Sequence, residues 1–252
     1  PRRRGRRDDL LSRGCRRLAE VGPMTEGRFV HALALGLDSG WRRLSAEERC
    51  GSAGELVAAV EASSEVTTHA YSMIGLRAGA DVLLWSLGPT LESLEEKAAA
   101  VLRSGMGRWM SVTQSFLGII QHSQYVKKPT PQEQSLFSGE RSRYLVVYPF
   151  TKSTDWYLLG REARQGIMNE HMRIGHDFPE VRQLLANSFG LDDMDFLVAY
   201  EMDDLPKFSE LVRALRESDS RRSTIRDTPI LTGVHRPVAE ITALLGAGEN
   251  AV

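Results

Sequence analysis

Cysteine is scarce in this sequence: Cys15 and Cys50 are the only two among 252 residues. Two separated thiols make neither a disulfide framework nor a metal-ligand cluster, so any bound metal has to be held by other side chains. A reducing, cytoplasmic setting is the expectation. An excess of one charge sign is also lacking. With 32 Lys and Arg against 33 Asp and Glu, a formal net charge of −1 gives no general pull toward nucleic acid or an anionic membrane. No apolar run approaches the roughly 20 residues of a membrane span. What is present, 42% hydrophobic and 26% charged residues, suits a globular chain able to form one large domain or two smaller ones.

Residues 1–23, PRRRGRRDDLLSRGCRRLAEVGP, are rich in arginine and lack the apolar core of a secretory signal. Asp8, Asp9 and Glu20 argue against an organellar transit peptide, and Met24 stands as a second plausible start before the first strand. The expectation is a disordered basic tail outside the fold.

From Phe29 onward the pattern repeats. Trp41 opens WRRLSAEER and Trp156 opens WYLLGREAR, an offset of 115 (156 − 41). Gly75 in YSMIGLRAGADVLLW matches Gly190 in ANSFGLDDMDFLVAY at the same offset of 115 (190 − 75). LESLEEKAAAVLRS then aligns with LPKFSELVRALRES. Agreement at three separated places indicates two homologous halves. Each half reads as a strand (29–36, 143–150), a helix (45–61, 160–174), a hairpin (66–74 with 81–87, 183–189 with 195–201), a second helix (90–104, 206–218) and a last strand (109–120, 224–233). Gly75 and Gly190 are read as the hairpin turns.

That order is β-α-β-β-α-β, so the expected fold class is α+β: two ferredoxin-like units joined as a dimeric-type α+β barrel. The expected divisions are an N-terminal half over 24–120, a polar linker with two prolines over 121–142, and a C-terminal half over 143–252. A β-sandwich is disfavoured, because Leu205, Phe208, Leu211, Val212 and Leu215 follow helical spacing.

The halves differ where chemistry could reside. Leu159, Ala163, Ile167 and His171 lie four apart along one stripe, and the first-half counterpart of His171 is Leu56 (171 − 115). An imidazole replacing a core leucine is either a core histidine bonded to a carbonyl or a ligand to a metal or haem iron. Tyr144, Val146, Tyr148 and Phe150 share one strand face, which Lys152 continues if the strand persists past Pro149. Such a face is ordinary core, but a buried ammonium needs a partner, and a bound carboxylate would be one. Gln183 starts the next strand and can point an amide into the same space. Arg216, beside Leu215 near a helix C-terminus, suits either the macrodipole or a carboxylate. Arg103 occupies the matching place in the first half, and Arg221 and Arg222 read as a solvated pair.

With those residues in view, the stretch from Tyr144 to Gly233 resembles the chlorite dismutase / coproheme decarboxylase family of haem proteins. The likeness rests on YPFTKSTDWYLL, EARQGIMNEHMRIG, SFGLDDMDFLVAYEMDDLPKF and LVRALRES. It implies that His171 is the proximal ligand to iron. Tyr148, Pro149 and Lys152 match the Tyr-Pro-x-x-Lys pattern of the decarboxylases, in which the tyrosine becomes a radical that attacks a propionate and the lysine assists there. Trp156 and Tyr157 also look like the decarboxylases, and Arg216 matches their propionate-anchoring arginine. Gln183 stands where chlorite dismutases carry an arginine, and Ser220 where they carry the glutamate that polarises the proximal histidine. A distal acid–base histidine has no aligned match, Ile120 falling nearest, and for a second propionate arginine only Lys127 or Lys128 could substitute.

The resemblance implies a peroxide-dependent conversion of iron-coproporphyrin III, as both substrate and cofactor, to haem b in a homo-oligomer, often a ring of five. A chlorite dismutase or haem peroxidase using the same pocket is the alternative within enzymes. A non-haem structural or binding member, with His171 in the core, is the alternative outside them.

Overall fold

The structure, a computed structural model, describes residues 28–62, 64–121 and 140–248. The N-terminal tail and most of the linker, with Lys127 and Lys128, therefore lie outside the described residues. The first half runs β1 (Phe29–Leu37), α1 (Ala46–Glu61), β2 (Thr67–Arg77), β3 (Ala80–Gly88), α2 (Leu91–Arg103) and β4 (Met110–Ile119). The second runs β5 (Tyr144–Lys152), α3 (Thr154–Leu158), α4 (Arg161–His176), β6 (Arg182–Asn187), β7 (Phe196–Met202), α5 (Leu205–Arg216), β8 (Thr224–Arg226) and β9 (Leu231–His235), before a short α6 (Val238–Thr242).

All pairings are antiparallel. The strand order is β4-β1-β3-β2 in the first half and β9-β5-β7-β6 in the second. The halves meet at two seams, β4 with β6 and β2 with β9, and these seams close the sheet into a barrel. The molecule is thus a mixed α+β fold with an antiparallel barrel sheet.

A glycine inside each seam permits the closure. A Cβ at Gly118 would stand 2.8 Å from that of Ala186, and one at Gly233 would stand 2.7 Å from that of Tyr71. Any larger residue would push the two sheets apart.

Alternation along the strands sorts side chains between three cores. Val30, Ala32, Ala34, Tyr71, Trp85, Leu145, Val147, Leu197 and Ala199 fill the barrel interior. On the outer face of the first half, Leu33, Leu35, Val82 and Leu84 pack under Trp41, Ala53, Leu56 and Val60. On the outer face of the second, Val146, Val198, Tyr200 and Met202 pack under Leu211 and Val181.

Helix α1 begins with a capping box, Ser45 with Glu48, and buries Ala53, Leu56 and Val60. Helix α4, in the corresponding place of the second half, has no fully buried residue, and half-buried Ile174 is its contact with the outer core. The imidazole-for-leucine exchange thus coincides with a helix that is less deeply packed.

At one end of the barrel the carboxylate of Glu201 is fully buried. Its Oε1 accepts the Tyr71 hydroxyl at 2.7 Å. Its Oε2 faces Arg182 at 2.9 Å and Arg141 at 3.6 Å, charge contacts without hydrogen-bond alignment. Burial, then Glu201 itself, pushes the Tyr71 hydroxyl pKa up.

Two expectations are corrected. Gly75 is not the first hairpin's turn: it sits within β2 at a register irregularity between Ser72 and Arg77, with φ 69°. The turn lies at Ala78–Gly79, where Gly79 has φ 76°. Both positions are left-handed here, one in a strand irregularity and one in a turn, so glycine suits either. The last strand, expected to run unbroken, is divided into β8 and β9 around the Thr228–Pro229 bond.

Candidate active site

The outer face of the second half carries the residues singled out in the sequence. Tyr148 and Val146 on β5 face outward, opposite Val198 and Tyr200 on β7, while Leu145 and Val147 turn into the barrel. Gln183 pairs with Tyr200, so its amide shares that face. Opposite stand α4 and α5. Asp204 caps α5 by accepting from Lys207 N, and Pro206 lies in its first turn.

Between β5, α5 and the segment joining β8 to β9 lies a cleft of about 160 Å³ lined by Val146, Tyr148, Phe208, Val212, Arg216, Asp227 and Ile230, with Ser209 at its wall. An apolar floor with a phenol, a guanidinium and a carboxylate at one side suits a flat apolar ligand bearing carboxylate groups.

Tyr148 stacks on Tyr200, ring centroids 6.2 Å apart and planes at 28°. Burial first, then Tyr200, raises the Tyr148 pKa well above the usual phenol value, and burial pushes Tyr200 up to about 12. Tyr148 is therefore a neutral phenol at ordinary pH.

His171 and Lys152 stand together through one residue. His171 Nδ1 lies 3.1 Å from Ser220 Oγ, and Lys152 Nζ donates to the Ser220 carbonyl at 2.8 Å. Among the described residues none bonds His171 Nε2, which leaves that nitrogen for a ligand. Burial, then the Lys152 charge, pushes the His171 pKa down to about 4 against the pull of Glu170. The imidazole is consequently neutral near pH 7, the form that ligates metals.

The Lys152 side chain is only 8% exposed, and its ammonium sits 4.7 Å over the Trp156 ring and 5.1 Å over Phe150. Burial, then Arg221, pushes its pKa down to about 8. The strand continues past Pro149 to Lys152, with a register irregularity between Thr151 and Lys152, and the amine stays over Phe150 of the Tyr148 face while reaching Ser220 beside the cleft.

Behind this group Asp195 Oδ2 accepts both the Lys152 amide, at 2.7 Å, and the Tyr157 hydroxyl, at 2.7 Å, fixing β5 to α3. Ser153 caps α3, which carries Trp156.

The structure thus gathers Tyr148 and Arg216 in the cleft, His171, Lys152 and Trp156 around Ser220, and Gln183 on the neighbouring strand. Sequence reasoning missed three residues. Tyr200 shares alternation with Val198 and Met202, which would have placed it on the Tyr148 face. Asp227 and Asp195 sit in irregular segments that carry no periodic signal. Arg221, read as solvated, in fact bonds Asp227 Oδ2 at 2.6 Å.

A family model described as chlorite dismutase matches residues 47–236. The chain belongs to the chlorite dismutase family. Its likeness to the coproheme decarboxylase of Mycolicibacterium smegmatis is 31% identity over 177 residues, 69% of this chain and 75% of that protein. A mutant chlorite dismutase from Candidatus Nitrospira defluvii superposes with a TM-score of 0.80 at 29% identity, covering 88% of this chain and 96% of the other. The same organism's chlorite dismutase in complex with imidazole gives 0.79 at 29% identity with the same coverage, 88% and 96%. This family includes haem-dependent enzymes. Among the described residues no helix is long and apolar enough to cross a membrane.

Proposed function

We propose that this chlorite dismutase family member is a coproheme decarboxylase, which uses hydrogen peroxide to convert two propionates of iron-coproporphyrin III to vinyl groups and so makes haem b. One observation carries the reading. Helix α4 has no fully buried residue and meets the outer core only through half-buried Ile174, whereas α1 in the first half buries Ala53, Leu56 and Val60. A helix packed so partially on its sheet leaves room for a flat apolar ring. The neutral imidazole of His171, with Nε2 unengaged, suits iron at the centre of that ring, and Arg216 suits a carboxylate at its edge.

In this reading His171 holds the iron, with Ser220 orienting its ring through Nδ1. Arg216 and Gln183 bind the substrate's periphery, and Trp156 supports the ring's environment through its stack with Lys152. Bound coproheme supplies the peroxide-reactive iron and the propionates. Tyr148, buried and protonated, gives up an electron and its proton, then takes a hydrogen atom from the β-carbon of the propionate. Loss of carbon dioxide from the resulting carbon radical would pass a second electron to the peroxide-derived oxidant and leave a vinyl group. Each propionate consumes one peroxide, which is reduced to two waters, so electrons balance. Lys152, with its pKa near 8, supplies charge or a proton to the carboxylate region.

The test is Tyr148→Phe. It should bind coproheme as the wild type does and release no carbon dioxide with peroxide; full turnover by this variant sinks the radical step. A chlorite dismutase activity has the structural likeness behind it, but Gln183 stands where that chemistry uses an arginine. The two halves are proposed as duplicated ferredoxin-like units, 24–120 and 143–252, joined by 121–142. The chain is also proposed to act as a homo-oligomer, as a ring of five. Exposed Leu158, Phe189 and Leu191 near the end of β6 and α3 support such an interface.

A further inference from the structure

We propose that Asp227 is a specificity-determining residue of the cleft, an internal carboxylate that competes with a ligand's carboxylates for Arg216 and Arg221. The inference rests on the porphyrin reading of the site and deepens it by assigning what sets the preference between porphyrins.

Three observations carry it. Asp227 lines the cleft together with Tyr148 and Arg216. A single oxygen, Oδ2, meets two guanidinium groups from different segments, Arg221 at 2.6 Å and Arg216 at 3.7 Å. The loop that presents it is tied down: Arg226 pairs with Thr151 across β8 and β5, and its guanidinium donates to Asp193 O at 2.7 Å and to Thr228 O at 3.1 Å. The backbone at Asp227 is therefore held in place, and the 2.6 Å bond from Arg221 keeps its carboxylate beside Arg216 when a second carboxylate approaches.

The electrostatic consequence depends on the ligand. A propionate at Arg216 gains the guanidinium but meets the fixed charge of Asp227 and takes away part of its ion pair. A vinyl group at the same place leaves the Asp227 pair intact, so the arginines are never left without a counter-charge. Asp227 thus weakens the cleft's preference for the more carboxylated ring. Arg221 has the opposite effect, because its charge offsets that of Asp227.

The experiment is a fluorescence titration with two metal-free porphyrins, coproporphyrin III with four carboxylates and protoporphyrin IX with two, so that it reads neither iron loading nor turnover. Asp227→Asn should tighten coproporphyrin relative to protoporphyrin by about three- to fivefold, an effect that shrinks as salt rises. Arg221→Gln should move the ratio the other way, and it tests the proposal independently if Asp227→Asn fails to fold. A ratio unchanged within about twofold in a folded Asp227→Asn protein, or both porphyrins weakened alike by both variants, overturns the proposal and leaves the porphyrin reading standing. Wild-type protein that binds neither porphyrin removes both.

Discussion

Replacing Lys152 with methionine should change how the stability of the ligand-free protein depends on pH, and the size of the change follows from the structure. Burial holds the Lys152 ammonium at a pKa of about 8, against 10.5 for the free side chain. A lysine lowered on folding binds fewer protons in the folded chain than in the unfolded one between those two values. Stability therefore rises with pH across that window, and below it the cost of the buried charge is present in full. The window corresponds to about 3 kcal/mol as an upper bound at 1.36 kcal/mol per pKa unit, and water reaching the ammonium reduces it to about 2 kcal/mol.

Methionine also removes the bonds to Ser220 and Thr224, at 2.8 and 3.3 Å. That loss is the same at every pH and cancels when the difference between mutant and wild type is followed from pH 7 to pH 10. The lowered pKa of Lys97 and the tyrosines are common to both proteins and cancel as well. Urea unfolding across that range should show the mutant losing about 2 kcal/mol relative to wild type as pH rises. Parallel stability curves would refute the argument that Lys152 is held as a desolvated amine.

Three other perturbations follow from the same geometry. Glu201→Ala removes the buried carboxylate that Arg182 and Arg141 share and takes the acceptor from the Tyr71 hydroxyl, and should cost about 3–5 kcal/mol in chemical denaturation; a loss below about 1 kcal/mol would mean the network is solvated. Gly118→Ala should wedge the β4–β6 seam and cost about 1–3 kcal/mol, while alanine at Gly166, which has open space around a Cβ, should be neutral or stabilising by circular dichroism melts. His171 is lowered to about 4, so ligand-free protein should lose stability as pH falls from 6.5 toward 4, and His171→Leu should abolish that part of the loss.

Much of this fold was readable because each element kept its own period. Leu205, Phe208, Leu211, Val212 and Leu215 announced α5, and the alternation through Val146 and Tyr148 announced which face of β5 meets the helices. The offset between Leu56 and His171 also led to the right helix, where the packing proves to differ. What was not readable depends on irregular backbone. Ser220, the residue that joins Lys152 to His171, sits in an irregular segment after α5 that no alternation rule places. Asp227 reaches the cleft from the loop that divides β8 from β9, and Gly75 serves a bulge where a turn looked equally good. The seam glycines matter only once the two sheets are brought together, which local sequence does not encode.

The central claim is that the open helix layer of the second half holds coproheme for oxidative decarboxylation. Its most direct test is mass spectrometry of the porphyrin after peroxide is added to the coproheme complex. The account predicts two successive losses of the elements of formic acid, ending at haem b in the wild type, with neither loss in Tyr148→Phe. A porphyrin that keeps all four propionates in the wild type, or one bleached without any vinyl product, would contradict it.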